Sequence, residues 1–200
     1  LTPAGAAPTK SWFGLKMGDV TVSGGLDPDL IELSATITIG ALDYNSATDT
    51  ALPVGTAAKR LDWASAFDLD GDGQFDDVLN PGAGLPVAAD LAIDFASSLQ
   101  LRLNGTLTGN GAPVDVDGDA VADISNVILG FDPVYIGGSA GFALTLSTVD
   151  ADTDGNGTAD LIGATLMGLA LDVTSAGVGI KDVAKLTVSG KLALGTLTPA

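Results

Sequence analysis

Apolar residues recur at every second position along most of this chain, and that period limits what it can fold into. Ile31, Leu33, Ala35, Ile37 and Ile39 alternate with Glu32, Ser34, Thr36 and Thr38. Leu91, Ile93, Phe95, Leu99, Leu101, Leu103 and Leu107 continue one face over a long stretch. Phe142, Leu144 and Leu146 repeat the pattern, as do Leu161, Met167, Leu169, Leu171 and Val173, and then Leu186, Val188, Leu192 and Leu194. Successive side chains of a strand point to opposite faces, so the pattern reads as half-buried β-strands with Thr, Ser and Gly opposite. Only Ala64–Phe67 and Val87–Leu91 leave room for a turn of helix. The expected class is all-β: an elongated β-sandwich or a β-solenoid-like repeat. Glycines within the strands (Gly18, Gly105, Gly163, Gly168, Gly190) mark bulges, bends or close backbone approach.

Three acidic stretches punctuate this pattern with nearly the same spelling: 68–76 (DLDGDGQFD), 115–123 (DVDGDAVAD) and 152–160 (DTDGNGTAD). Calcium takes six to eight oxygens at about 2.3–2.6 Å, and a short loop supplies them from side chains at positions 1, 3, 5 and 9 and a carbonyl at position 7. Those positions are Asp68, Asp70, Asp72, Gln74 and Asp76; Asp115, Asp117, Asp119, Val121 and Asp123; and Asp152, Asp154, Asn156, Thr158 and Asp160. Asp77 and Asp150 are nearby candidates for the missing outer ligands. Gly71, Gly118 and Gly155 at position 4 ease a tight turn. Gly73 and Gly157 hold the sharp-turn position 6, where the second loop has Ala120, so that site is expected to be the weakest or most distorted unless Ala120 tolerates the backbone. One copy reads equally well as a solvated acidic turn. Three copies make Ca2+ the expected cofactor, at loops that join the long strands.

The nine-residue loops resemble those of dockerins and thrombospondin type-3 repeats, which share a DxDGDGxxD core. They depart from the EF-hand, which places a bidentate Glu at position 12, where this chain has Leu79, Asn126 and Gly163. The loops, the β-only pattern and the Thr/Ser/Gly-rich strands together resemble repeat regions of giant bacterial surface proteins: calcium-dependent adhesins, surface-layer proteins and extracellular filaments. That resemblance implies secretion, calcium-imposed rigidity and end-to-end assembly or tandem display. The glycine-rich nonapeptide of RTX β-rolls is absent.

Composition narrows the chemistry. The chain has 25 acidic and 8 basic residues, for a net charge of −17. Glu32 is the single Glu, and thirteen acids fall within 68–77, 115–123 and 150–160. Such clusters repel themselves without a counter-cation. The charge argues against nucleic acid, since no basic stripe is present to neutralise phosphates. It also disfavours anionic membranes. With no Cys and no His, disulfides, thiol chemistry and the commonest general base are missing. Asp90 and Asp94 could pair as glycosidase carboxylates, but Asp94 falls on the polar face of the alternation, and no enzyme activity is expected. No uncharged run reaches the length of a transmembrane helix. No signal peptide is visible and the first residue is Leu, which reads as a mature or excised piece of a longer exported, repetitive chain.

The organisation reads as a single all-β module over 1–200. Asn45–Lys59 reads as a long loop and 80–86 as a second break, so two sub-units could divide near 80–90. Residues 14–24 resemble 179–190, and Leu-Thr-Pro-Ala occurs at 1–4 and 197–200. The expected function is a calcium-stiffened extracellular module of a surface fibre, layer or adhesin that associates with copies of itself. The alternative is a calcium-dependent glycan- or surface-binding module. Clustering of Trp63 and Tyr44 on one exposed face would favour it.

Overall fold

The computed structural model describes residues 9–26, 32–54 and 56–200. The expectations placed on Ile31, Gly55 and residues 1–4 lie outside them. The chain is all-β, with strands β1 (Lys10–Leu26), β2 (Glu32–Asp49), β3 (Leu99–Gly109), β4 (Val127–Phe131), β5 (Val134–Ala151), β6 (Leu161–Ile180) and β7 (Ala184–Thr198). They form one seven-stranded antiparallel sheet in the order β1-β2-β3-β5-β6-β7. β4 fills the space beyond the end of β3, pairing with both β2 and β5. The long strands and all-β class are therefore as the alternation implies. The long strands lie side by side in a single sheet.

The register explains why the alternation survives across so wide a sheet. Met17 pairs with Leu42, Leu42 with Leu103, Leu103 with Leu144, Leu144 with Leu169 and Leu169 with Leu194. Directly paired residues share a face, so these six residues form one apolar row across the sheet. Rows through Leu15–Tyr44–Leu101–Leu146–Met167 and through Leu33–Leu129–Ile136–Val178–Leu186 lie on the same face. Bulges at Gly40 and near residues 174–175 shift the phase of the alternation, and the register shifts with it.

The opposite face carries two covering segments. Residues 50–98, between β2 and β3, pack Trp63, Ile93 and Phe95 with Leu99 into one core cluster. The Trp63 indole donates to buried Asn45 at 2.9 Å, and Asn45 donates to the Leu61 and Ala96 carbonyls. Gly14 is required beneath this ring, since a Cβ there would stand 2.9 Å from it. Residues 110–126 place Val116 and Ile124 with Val127 in a second cluster. They sit over Gly177 and Gly179, whose missing side chains make the room.

Three expectations need correction. The face read from Leu91 to Leu107 as one strand holds only from Leu101; β3 begins at Leu99, but a register shift between Leu99 and Leu101 turns Leu99 to the covered side. Ile93 and Phe95 alternate because they bury into the Trp63 cluster, with a single bridge from Ile93 to Leu79. Asn45–Asp49, read as the start of a loop, continue β2 opposite β1. Neither helical candidate forms a helix; the helical turn is a 3-10 turn at Pro81–Gly84, capped by the Asn80 side chain. Residues 80–90 lie inside the first covering segment, and the sheet draws strands from both sides of them. Of the two similar segments, 14–24 lies in β1, whereas 179–190 spans the end of β6, a turn and the start of β7.

Trp63 anchors the first covering segment. Trp63→Ala should cost about 3–5 kcal/mol in denaturant unfolding and should make residues 50–98 the first site of protease cleavage.

Candidate metal centres

The three acidic loops share one backbone design. Each is closed by an antiparallel bridge between the residue before position 1 and the residue after position 9: Phe67 with Asp77, Val114 with Ile124, and Ala151 with Leu161. Position 1 then accepts two amides of its own loop. Asp68 Oδ1 and Oδ2 take Gly71 at 2.7 Å and Gly73 at 3.0 Å. Asp115 takes Gly118 at 2.7 Å and Ala120 at 2.8 Å. Asp152 takes Gly155 and Gly157, both at 2.7 Å. The position-3 side chains accept the position-5 amides, at 3.1, 3.3 and 3.1 Å. The position-5 side chains accept the position-7 amides of Gln74, Val121 and Thr158, each at 2.8 Å.

These bonds curl the chain and gather its carboxylates. Oxygens of Asp68, Asp70 and Asp72 lie within 4.8 Å of one another, as do those of Asp115, Asp117 and Asp123, and those of Asp152, Asp154 and Asp160. A carboxylate has about four lone-pair directions, so two amide bonds leave capacity for a cation. Three convergent hard oxygens per loop suit a metal ion, and each triad could hold one.

Differences between the loops are local. Asp76 is outside the first triad. Asp77, one residue on, accepts the Leu69 and Asp70 amides, whereas in the other loops the position-9 acids do this work: Asp123 takes Val116 at 3.0 Å and Asp160 takes Thr153 at 3.1 Å. Asp119 is outside the second triad. Asp150 accepts the amide of Gly163 at 2.8 Å, beside a register shift between β5 and β6, and so serves the strand joint. Ala120 adopts φ 67°, close to the glycines at the same position of the other loops (87° and 86°), and keeps the hydrogen bond to Asp115. The second loop is therefore undistorted but strained.

Sequence reasoning missed two groups. The Thr153 hydroxyl donates to Asp160 at 2.7 Å. Lys185, at the start of β7, places its ammonium on Asp117 at 2.8 Å and also on Asp123. Lys185 is 62 residues from Asp123 in sequence, and no spacing rule links them. Its ammonium balances the second cluster from within the chain.

Loop geometry sets the electrostatics. The Gly118 amide holds Asp115 below the ordinary carboxylate range, and the Gly157 amide does so for Asp152. Lys185 lowers Asp123, and the Thr153 hydroxyl lowers Asp160. Asp117 and Asp123 in turn raise Lys185.

Other residues flagged in the sequence are occupied elsewhere. Asp94 pairs with Lys16 at 3.2 Å, and Asp90 accepts from Asn80. Trp63 is buried between the first covering segment and the sheet, whereas Tyr44 projects from the opposite face beside Phe13. They do not form one platform. No helix among the described residues is long and apolar enough to cross a membrane. Searches against family models, curated proteins and solved structures find no match.

Two outcomes follow. Ala120→Gly should stabilise the protein by about 1 kcal/mol by removing a left-handed non-glycine residue, measured by denaturant unfolding. In chelator, the lowered acids stabilise the fold fully above the unfolded carboxylate range, at about pH 4 and higher. That contribution should vanish as pH falls through their lowered folded values, so metal-free Tm should drop on acidification, and less steeply in Asp152→Asn.

Proposed function

We propose that this chain is a calcium-stiffened structural module of an extracellular surface assembly, a fibre, layer or adhesin. The observation that carries this reading is the repetition of one loop design three times, with the same closing bridge, the same two amides on the position-1 acid and a gathered carboxylate triad. An acidic turn of chance composition has no reason to repeat its hydrogen-bond skeleton at three separate places in the fold, two in the covering segments and one at a strand hairpin.

Calcium fits these loops better than magnesium because it accepts more oxygens, at longer distances and in looser geometry. Binding cancels the mutual repulsion of the gathered carboxylates and turns flexible loops into fixed joints. The third loop is the tip of the long β5–β6 hairpin, so a cation there fixes the mutual register of the two strands. Cysteine-free stabilisation by a millimolar extracellular cation suits a surface location. Among the described residues β1 and β7 are the sheet's edges, with backbone groups through which neighbours could continue the ladder. They run in opposite directions, so a translated copy meets the edge antiparallel. The roles of Asp68, Asp70, Asp72, Asp115, Asp117, Asp123, Asp152, Asp154 and Asp160 are first-choice ligands, with Asp76, Asp77 and Asp119 available to complete the shells.

The test is thermal unfolding in millimolar Ca2+, in Mg2+ and in excess chelator. A site filled at about a hundredfold above its Kd contributes about 2.7 kcal/mol, and each kcal/mol moves Tm by about 2–4 °C at this size. Two or three filled loops should raise Tm by about 10 °C or more. Mg2+ should give a small part of this, and Asp152→Ala should remove one site's share. Identical melting in Ca2+ and chelator would reduce the loops to acidic turns.

A further inference from the structure

We infer that the uncovered apolar face of the sheet is the contact surface for a second copy of this chain, packed face to face. The inference does not depend on the metal reading.

Both covering segments lie on the other side of the sheet, where Gly14 meets Trp63 and Gly177 and Gly179 meet Ile124 and Val116. Among the described residues the covering segments reach the side bearing the Met17–Leu194 row only at its margin, where Arg60 donates to the Thr148 hydroxyl. Its outlying members are open to solvent: Val178 is 44% exposed, Leu186 63% and Leu192 56%. Strand spacing of about 4.8 Å over six positions and about ten residues at about 3.3 Å give this face roughly 950 Å². The largest apolar patch on an ordinary monomer is about 300–600 Å². A standard stable interface takes about 800 Å² from each partner, so one copy offers the area that one stable contact needs.

Charge placement selects the partner. In the paired register no residue on this face is charged, although the chain carries −17 overall, and the charges of Arg60 and Asp150 stand at its margin near the β5–β6 tip. Lys16, Asp43, Arg102, Asp172 and Lys191 all fall on the other face, and the first two acidic loops belong to the covering segments on that side. Two copies can therefore meet without burying a charge and with those loops directed away from each other. Two flat apolar sheet faces pack about 10 Å apart, and a two-fold contact needs no second surface. The result is a sandwich made by two chains.

The test is sedimentation of the 200-residue chain in Ca2+, with far-UV circular dichroism as the folding check. The wild type should be a dimer at about 10 μM and dissociate on dilution. Val178→Lys with Leu192→Lys should raise the dimer Kd by at least about 100-fold. Both residues are exposed in the single copy, so the sheet itself should persist. Ala193→Lys, which adds a charge to the other face, should leave the dimer intact. A folded wild type that stays monomeric to about 100 μM overturns the inference, as does a folded double variant that remains dimeric. A monomer that instead binds zwitterionic lipid vesicles through this face also overturns it. Because the wild-type result stands alone, misfolding of a variant does not rescue the idea.

Discussion

The rest of this structure depends on the register of one antiparallel ladder. A slip of one residue in any strand would turn its apolar set to the opposite face. The paired row from Met17 to Leu194 shows that no such slip accumulates across six strands. Where β2 carries Gly40 and β6 carries residues 174–175 as extra length, the alternation in sequence changes phase at the same point. The bulges thus keep most leucines on one face and the paired charged residues on the other. Everything else attaches to that asymmetry. The covering segments find small residues beneath them, and the buried Asp43 meets Arg102 on the covered side.

Against this frame the acidic loops are small closed units. Each has its own bridge, and its amides hold its acids. Their charge is tolerated because every acid at position 1 exchanges water for two backbone donors. The second loop goes further. Val116 and Ile124 sink its flanks into a core cluster, Asp182 donates its amide to the Val116 carbonyl, and Lys185 supplies a positive charge. The third loop has no such support beyond Thr153. The same motif thus occupies two electrostatic settings, one compensated by Lys185 within the chain and one with no ion-paired basic side chain among the described residues.

Much of this was legible in the sequence because strand period and loop spacing are local signals. Leu101–Leu107 and Phe142–Leu146 alternate because they are strands, and D-x-D-G spells its own turn. The failures have a common cause. Leu91–Phe95 alternates identically but packs in a covering segment, because period two reports one buried side without naming what buries it. For the same reason the period does not say how many sheets the strands form; here they form one. Asp77 replaces Asp76 as the amide acceptor although the closing bridge is in the same place, a difference below the resolution of a motif. Lys185 reaches the second loop only because the β6–β7 turn brings it there.

The positions of the outer strands have a mechanical consequence. β1 starts at Lys10 opposite Asp49, and β7 finishes at Thr198 opposite Thr165, so both lie at the end of the sheet from which the β5–β6 tip projects. Tension applied between these two points acts across the strands instead of along them. Hydrogen bonds would then be loaded one after another from each edge, as in opening a zip, and not all together as in shear. A single sheet pulled this way yields at low force and in steps, and its resistance is decided by whatever holds its edge strands and its face.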